Sequence, residues 1–270
     1  MTSLDTGTPD LLAAVDDGVM TLTMNRPDAR NALSRPMLQA MQQQLVAAEF
    51  DPAVRCIVLT GSGKAFCAGG DVKAMASGAA ANRTVDEAIH QQRHSQRETA
   101  GRLFKMPKPT LAVLPGAAAG AGLSLAMACD LRLMSSAAFM TTAFAKVGFA
   151  GDYGGTYFMT QLVGAAKARE LYLLSDRVPA DEALRLGLAN WVCEPDQLVE
   201  RTRELAQRLA RGPAVAYRYM KENLNRAMGG EVDDCLDLEV THHVHCAQTE
   251  DHRNAARAFI EKREPVFNGR

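Results

Sequence analysis

Pro109 to Asp130 reads PTLAVLPGAAAGAGLSLAMACD, and the stretch changes character halfway along. Its first part, Thr110 to Leu114, is a short apolar run between prolines, which predicts a strand buried on both faces. From Gly116 to Gly122 there is almost no side chain, and from Ala121 onward the apolar residues fit a packed helix. The first amides of such a helix have no intrahelical partner and carry partial positive charge, so they favour an anion.

The nucleotide-binding motifs do not fit this stretch or the other glycine-rich one. Gly120-Ala121-Gly122 is not followed by the further glycine of a dinucleotide fingerprint. Gly61-Ser62-Gly63-Lys64 lacks both the upstream glycine and the following Ser or Thr of a phosphate loop. Two interpretations of the small residues remain open. They form an oxyanion hole, in which amides hold an oxygen that becomes negative during reaction, or they allow a tight contact between helix and strand.

The composition is that of an ordinary globular protein. The chain has 270 residues, 47% hydrophobic and 23% charged, so it can bury a sizeable core. It carries 30 basic and 31 acidic residues, a net charge of −1, and no basic stripe that would favour nucleic acid or a membrane surface. No leader pattern precedes the core and no apolar run approaches a membrane span, so we expect a cytoplasmic protein.

The six cysteines form no CxxC pair, and several lie in apolar segments, so we expect free thiols rather than disulfides. One arrangement leaves a second interpretation open. His242, His245 and Cys246 are spaced to share one face of a helix and could bind zinc. No second pair completes a zinc site, so the sequence favours a helix without a metal.

Strand and helix patterns alternate along the chain and predict a mainly parallel α/β body. A hairpin over residues 11–24 precedes a helix capped by Ser34, a strand over 55–60, and a helix that ends at Lys105. After residue 192 the pattern is helical, with starts marked by Pro195, Pro213, Glu231 and Glu250. We therefore divide the chain into a core over residues 1–192 and a helical region over residues 193–270.

A second set of free amides is expected after Ala65 to Asp71, which reads AFCAGGD. There a buried run ends in small residues and a helix begins at Val72, as in the first stretch. Residues 76–82 read as a loop. Met75 comes directly before this loop, and an amphipathic helix that ends at Lys105 follows it.

Five blocks of the sequence, taken in order, resemble the crotonase superfamily, whose best-known member is enoyl-CoA hydratase. They are Asn25–Pro27 with Asn31–Leu33, Ala65–Asp71, Pro109–Asp130, Gly148–Thr156 and Phe259–Arg263. The resemblance covers nearly the whole chain. It implies a spiral core of ββα turns, an acyl-CoA thioester as substrate with no permanently bound cofactor or metal, and trimers that often pair into hexamers.

Carried over by position, the resemblance makes the amides of Gly70 and Ala121 the two donors of the oxyanion hole. Losing one such donor typically costs about 2.7–4 kcal/mol of transition-state stabilisation. The resemblance also implies that five residues contact CoA, with the last reaching a neighbouring subunit: Arg26, Arg30, Ala68, Asp71 and Lys262. The C-terminal helices carry apolar positions from Val215 to Val244, which predict a homotrimer or hexamer.

The sequence departs from the hydratases of this family at both catalytic glutamates. Ser124 and Phe144 stand at those positions, and neither can activate water or deliver a proton. Asp152 occupies a loop position where some members, including epoxyphenylacetyl-CoA isomerases and 4-chlorobenzoyl-CoA dehalogenase, carry a catalytic aspartate. A helix N-cap is the alternative role for Asp152. We expect Phe144, Phe149 and Tyr153 to dry its surroundings and raise its pKa above about 3.9.

A single carboxylate suits isomerisation, because it can take a proton from one acyl carbon and return it two carbons away. We therefore favour double-bond or ring isomerisation of an acyl-CoA, with Asp152 as base and Ser124 in a minor role. Three alternatives stay open: hydration by a variant mechanism, dehalogenase-like or hydrolase-like chemistry through Asp152, and a CoA-binding scaffold without catalysis. Nucleophilic chemistry would need a helping histidine, for which His90 and His94 are available unless they lie on a solvated helix face.

Overall fold

The chain winds through two sheets that share one hydrophobic core. The structure is a computed structural model and describes residues 1–72 and 84–270. Within these residues a strand of the larger sheet is followed by a strand of the smaller sheet and then by a helix, and the unit recurs. The predicted α/β fold, a ββα spiral with a helical C-terminal part, is confirmed.

The larger sheet contains, in the described residues, β1 (Thr2–Leu4), β2 (Leu11–Asp16), β3 (Val19–Met24), β4 (Cys56–Gly61), β6 (Thr110–Leu114), β8 (Leu131–Ser135) and β11 (Trp191–Cys193). They lie in this order across the sheet. The pairs up to β3 are antiparallel, and all later pairs are parallel. Every residue of β6 is buried, as its uninterrupted apolar run predicts. β1 was not predicted, because its three mostly exposed residues show no apolar alternation.

The smaller sheet has the order β10-β9-β7-β5 in the described chain, with β5 (Ala65–Cys67), β7 (Ala117–Ala119), β9 (Phe139–Thr141) and β10 (Val178–Pro179). No strand was predicted over residues 116–122, yet three of these residues form β7. Alanine has a weak preference for strands, so the pattern gave no strand signal. Pairing with β5 on one side and β9 on the other imposes the extended conformation.

Helices cover the sheets and form the C-terminal part. In the described part of the chain they are α1 (Arg35–Phe50), α2 (Val85–Gln96), a π turn (Arg97–Gly101), α3 (Arg102–Lys105), α4 (Ala121–Ala128), α5 (Gly155–Leu174), α6 (Ala180–Arg185), α7 (Leu198–Ala210), α8 (Ala214–Ala227), α9 (Val232–Ala247) and α10 (Glu250–Glu261). The predicted cap at Ser34 is confirmed, since its side chain accepts a hydrogen bond from the Met37 amide at 3.2 Å. α5 is interrupted at Gly164, whose φ of 75° and ψ of 163° are not helical.

The backbone of α4 lies against the end of β5 at a distance that only glycine permits. A Cβ atom on Gly122 would lie 2.5 Å from the Cys67 carbonyl oxygen and 2.8 Å from its sulfur. All eight residues of α4 are buried. The tight contact that was one interpretation of the small residues is therefore real, and it fixes the N-terminus of α4 against the turn after β5.

Two further expectations concern the state of the cysteines and the presence of membrane-spanning helices. All six cysteines are free thiols. In residues 1–72 and 84–270, no helix has both the length and the apolar character to span a bilayer.

Candidate active site

The turn after β5 touches the start of α4, and each of these two elements carries a backbone amide without an acceptor among the described residues. A Cβ atom on Gly69 would lie 2.9 Å from the Ala119 carbonyl oxygen and 3.4 Å from the Ala121 nitrogen. The neighbouring amide of Gly69 donates to the Cys67 sulfur at 3.4 Å. Within the described residues, neither Gly70 nor Ala121 donates a backbone hydrogen bond. Both N–H groups are therefore free among the described residues, and the oxyanion interpretation requires two such free donors.

The turn after β5 is held by the loop that precedes α1. Asn31 is fully buried, and its side-chain amide donates to the carbonyl oxygens of Ser62 at 2.9 Å and Ala65 at 2.8 Å. The Leu33 amide donates to the Gly69 carbonyl oxygen at 2.8 Å. From the sequence, Asn31 was only part of the resemblance to the family. In the structure its side chain holds in place the backbone just before β5 and at the first residue of that strand.

Four of the five residues expected to contact CoA lie on this loop and turn, but the two arginines differ. Arg26 pairs with Asp71 at 3.0 Å and donates to the Ala32 carbonyl oxygen at 2.7 Å, so its guanidinium already has partners. Arg30 is exposed and forms no ion pair within the described residues. Its carbonyl oxygen accepts a hydrogen bond from the amide of Ala68, which is exposed.

Lys262 lies at the end of α10. It is exposed and adopts a left-handed φ of 54° as the helix C-cap. Its backbone amide donates to the carbonyl oxygens of Ala258 and Phe259, which leaves the ammonium group on the surface.

Asp152 sits in a loop whose backbone is unusually constrained. Gly151, Tyr153 and Gly154 have φ values of 121°, 49° and 75°, a region that bulky side chains rarely adopt. Tyr153 is nonetheless buried, and holding such a residue there costs about 1–3 kcal/mol. The surrounding structure therefore fixes this loop, and with it the position of Asp152.

Asp152 is half-buried, with one oxygen of its carboxyl group shielded from solvent. Its Oδ1 atom is one of the buried polar atoms of the described chain that lack a partner. Burial raises its pKa from 3.8 to about 6, which confirms the predicted direction. The alternative role as a helix cap is wrong. The cap of α5 is Gly154, and Asp152 contributes only its carbonyl oxygen, which accepts from the Gly155 amide at 3.0 Å.

Two hydroxyl groups lie beside this loop. A Cβ atom on Gly155 would lie 2.3 Å from the Ser124 Oγ and 2.5 Å from the Tyr172 hydroxyl, so both oxygens border the same point. Ser124 donates to the Gly120 carbonyl oxygen at 3.3 Å and is buried in α4. Tyr172 was not identified from the sequence, because a tyrosine at an apolar helix position is typical of ordinary packing.

Asp152 is close enough to act electrostatically on residues from both sides of the site. Burial raises the pKa of the Cys67 thiol to about 12, and the charge of Asp152 contributes in the same direction. Burial and then Asp152 raise the pKa of Tyr172 above its ordinary value. The carboxylate thus shares one low-dielectric region with α5 and with the end of β5. The turn that contains the free amide of Gly70 follows β5 directly.

The aromatic surroundings differ in one respect from the prediction. Phe144 is buried and stacks on Tyr172 with ring centroids 5.8 Å apart. Phe149 is 55% exposed, so the expectation that it dries the pocket is wrong. Its amide donates to the Phe144 carbonyl oxygen in a turn that directs the side chain outward. Tyr172, rather than Phe149, lies near Asp152 together with Phe144.

The histidines named as possible helpers lie elsewhere. His90 and His94 are exposed on α2, as expected for a solvated helix face. From this part of the chain, Ser95 reaches the site instead, with its Oγ 3.4 Å from the Tyr153 hydroxyl. Met75 and residues 76–82 lie outside the described residues.

The structure gives the proposed zinc cluster on α9 another role. His242 is buried, its Nδ1 lies 2.5 Å from the Asn223 Oδ1, and its ring stacks on Tyr219 with centroids 4.2 Å apart. Among residues 1–72 and 84–270, no group of three His, Cys, Asp or Glu side chains has metal-binding geometry. His242 of α9 therefore packs against Tyr219 and Asn223 of α8.

Comparisons with known proteins agree over the whole chain. The sequence profile of enoyl-CoA hydratase/isomerase proteins matches residues 14–270. The chain is 33% identical to 1,2-epoxyphenylacetyl-CoA isomerase of Escherichia coli strain K12, across 96% of this chain and 98% of that one. It is 35% identical to short-chain-enoyl-CoA hydratase of Clostridium acetobutylicum, across 91% and 92%. An enoyl-CoA hydratase structure from Polaromonas sp. JS666 matches with a TM-score of 0.89 at 30% identity, across 95% and 99%.

The raised pKa of Asp152 predicts a pH-dependent effect on stability. Between pH 3.8 and about 6 the folded chain binds more protons than the unfolded chain, so the free energy of unfolding falls as pH rises. Asp152→Asn removes this loss. We expect it to raise the free energy of unfolding by about 1–3 kcal/mol at about pH 8 relative to wild type, and by little at about pH 4. Urea unfolding at both pH values measures the difference.

The matched control is Asp176→Asn, since Asp176 is exposed. It should change stability little at either pH. An effect of Asp152→Asn that is the same at both pH values would contradict the burial of the charged form.

Proposed function

The chain belongs to the enoyl-CoA hydratase/isomerase family, and on that premise we propose that it isomerises an enoyl or ring-containing acyl-CoA thioester. The observation that carries the proposal is the Asp152 carboxyl group, whose buried Oδ1 atom has no hydrogen-bond partner. It shares its surroundings with Cys67, next to the turn with the free amides. Ser124 and Phe144 cannot titrate near neutral pH, so we assign the role of base to Asp152.

The first step forms a dienolate. The thioester carbonyl oxygen accepts hydrogen bonds from the Gly70 and Ala121 amides, with the positive end of the α4 dipole directed at it. Asp152 removes a proton from the γ carbon of a 2-enoyl thioester. The electrons of that C–H bond move through the double bond to the carbonyl oxygen, where the two amides stabilise the negative charge.

The second step returns the same proton to the α carbon. The dienolate electrons form the new C–H bond, the double bond moves one position along the chain, and Asp152 is a carboxylate again. A pKa of about 6 suits both steps. The group is mostly ionised at neutral pH, yet it holds a proton more strongly than an ordinary aspartate does.

Hydration is the second candidate function. The hydroxyl groups of Ser124 and Tyr172, which border one point beside Asp152, could orient a water molecule. The relative from Clostridium acetobutylicum is named as a hydratase. Isomerisation is favoured because hydration calls for two groups that exchange protons with water and substrate, whereas one carboxylate is enough to move a proton within the substrate.

We also propose that the chain assembles as a trimer or hexamer through residues 193–270. Six apolar side chains of α8 and α9 are more than half exposed: Met220, Leu224, Val232, Leu236, Val240 and Val244. Such a surface on adjacent helices is typical of a subunit interface. The six free thiols support the expected cytoplasmic location.

Replacing the proposed base tests the mechanism. Asp152→Asn keeps the shape of the side chain and removes its basicity, so we expect loss of roughly 10²–10⁴-fold in turnover with acyl-CoA binding retained. Ser124→Ala should cost less than about ten-fold, because its hydroxyl is bonded to the backbone. Incubation with a panel of acyl-CoAs in deuterated water, followed by mass spectrometry, measures both turnover and proton exchange at the acyl carbons.

The reverse pattern would contradict this mechanism. If Asp152→Asn keeps nearly full exchange while Ser124→Ala loses it, a water molecule oriented by the serine becomes the better explanation.

Contacts to the phosphates of CoA are tested by two exposed cations. We expect Arg30→Ala and Lys262→Ala each to weaken CoA binding by roughly ten-fold at low salt, because charge-assisted hydrogen bonds to phosphate are lost. Isothermal titration calorimetry measures the affinity, and Arg208→Ala provides an exposed control on α7. Light scattering on the same samples gives the oligomeric state. Unchanged affinity in the Arg30 variant would contradict its assignment, and a monomer would contradict a contact from a neighbouring subunit through Lys262.

A further inference from the structure

The Tyr172 hydroxyl is a buried polar group that the proposed proton transfer does not use. In the described residues, three buried side-chain polar atoms lack a hydrogen-bond partner: Arg55 Nε, Asp152 Oδ1 and Tyr172 OH. Arg55 belongs to another region, where its other nitrogens donate to the carbonyl oxygens of Phe267 and Gly212. The other two belong to one loop and its neighbouring helix, which points to a function at this site.

The position of Tyr172 relative to the loop is well defined. A Cβ atom on Gly151 would lie 3.2 Å from the Tyr172 Cε1, and one on Gly155 would lie 2.5 Å from its hydroxyl oxygen. The two glycines therefore leave the space that the phenol occupies. Ser124, at the position where the resemblance expects a hydratase glutamate, borders the same point. A hydroxyl group from α5 thus fills space near that position.

The phenol can act only as a neutral hydrogen-bond donor or acceptor. Burial and the nearby Asp152 charge both raise its pKa, so it keeps its proton throughout the physiological range. A buried hydroxyl without a partner is unfavourable, because it has lost its hydrogen bonds to water. A plain hydrocarbon acyl chain offers no acceptor and leaves this loss in place. An oxygen atom on the acyl group would remove it.

We propose that Tyr172 determines substrate specificity by donating a hydrogen bond to an oxygen atom on the acyl group, beyond the thioester carbonyl. The preferred substrates are then acyl-CoA thioesters with a hydroxyl, ether, epoxide or ketone oxygen, rather than plain hydrocarbon enoyl thioesters. The proposal rests on acyl-CoA binding at this site, as in the proposed function. It does not depend on which proton Asp152 moves.

The test compares the affinities of hexanoyl-CoA and its positional hydroxy derivatives by isothermal titration calorimetry. These ligands are saturated, so binding is measured apart from isomerisation. We expect wild-type protein to bind at least one hydroxy derivative about ten-fold more tightly than hexanoyl-CoA. Tyr172→Phe should remove that preference and leave the affinity for hexanoyl-CoA unchanged. Tyr157→Phe, a change at a 43% exposed tyrosine of the same helix, should keep the preference.

Three outcomes would overturn the proposal. The first is a wild-type protein that prefers no hydroxy derivative, a result that needs no variant to fold. The second is a Tyr172→Phe variant that keeps the preference. The third is a variant that weakens all ligands equally, because a structural role of the phenol predicts that pattern.

The experiment separates this proposal from the isomerase mechanism. A preference lost in Tyr172→Phe, together with no proton exchange in any acyl-CoA, would uphold the role of Tyr172 and overturn the role of Asp152 as base.

Discussion

The close backbone contact between α4 and the end of β5 is the constraint on which the site depends. Gly122 lies so near Cys67 that any side chain would collide with its carbonyl oxygen, and Gly69 lies similarly near Ala119. This contact holds the turn after β5 against the start of α4. The turn contributes the amide of Gly70 and the helix contributes the amide of Ala121, and neither amide has an acceptor among the described residues. The dense packing of the spiral core therefore positions the proposed oxyanion hole before any substrate binds.

The opposite side of the site contains polar groups that are costly to bury. Asp152 and Tyr172 lack hydrogen-bond partners, and Tyr153 adopts an unfavourable backbone conformation. Unpaired buried groups and strained residues lower stability and are typical of sites where function has been favoured over stability. Here the strain fixes the loop, the burial raises the pKa of the carboxyl group, and the unpaired phenol can bind a polar ligand atom. The same unfavourable features thus account for both the proposed base and the proposed specificity.

The sequence predicted the fold and part of the site for identifiable reasons. Long apolar runs such as β6 and capped helices such as α1 carry strong local signals, and these elements were located correctly. β7 was missed, because three alanines become a strand only through pairing with their neighbours. The direction of the Asp152 pKa shift was predicted from its apolar surroundings. Its aromatic neighbours were only partly predicted, because Phe149 points outward and Tyr172 approaches from a helix twenty residues later.

The central claim is that the two free amides polarise a thioester carbonyl. Isotope-edited infrared spectroscopy measures this directly, with carbon-13 in the carbonyl group of a saturated acyl-CoA bound to the wild-type protein. Two hydrogen bonds from Gly70 and Ala121, with the α4 dipole directed at the oxygen, weaken the C=O bond. The carbonyl band should therefore move to a lower frequency than that of the same thioester in water. A band at the frequency in water, or at a higher one, would contradict the oxyanion hole and the chemistry that depends on it.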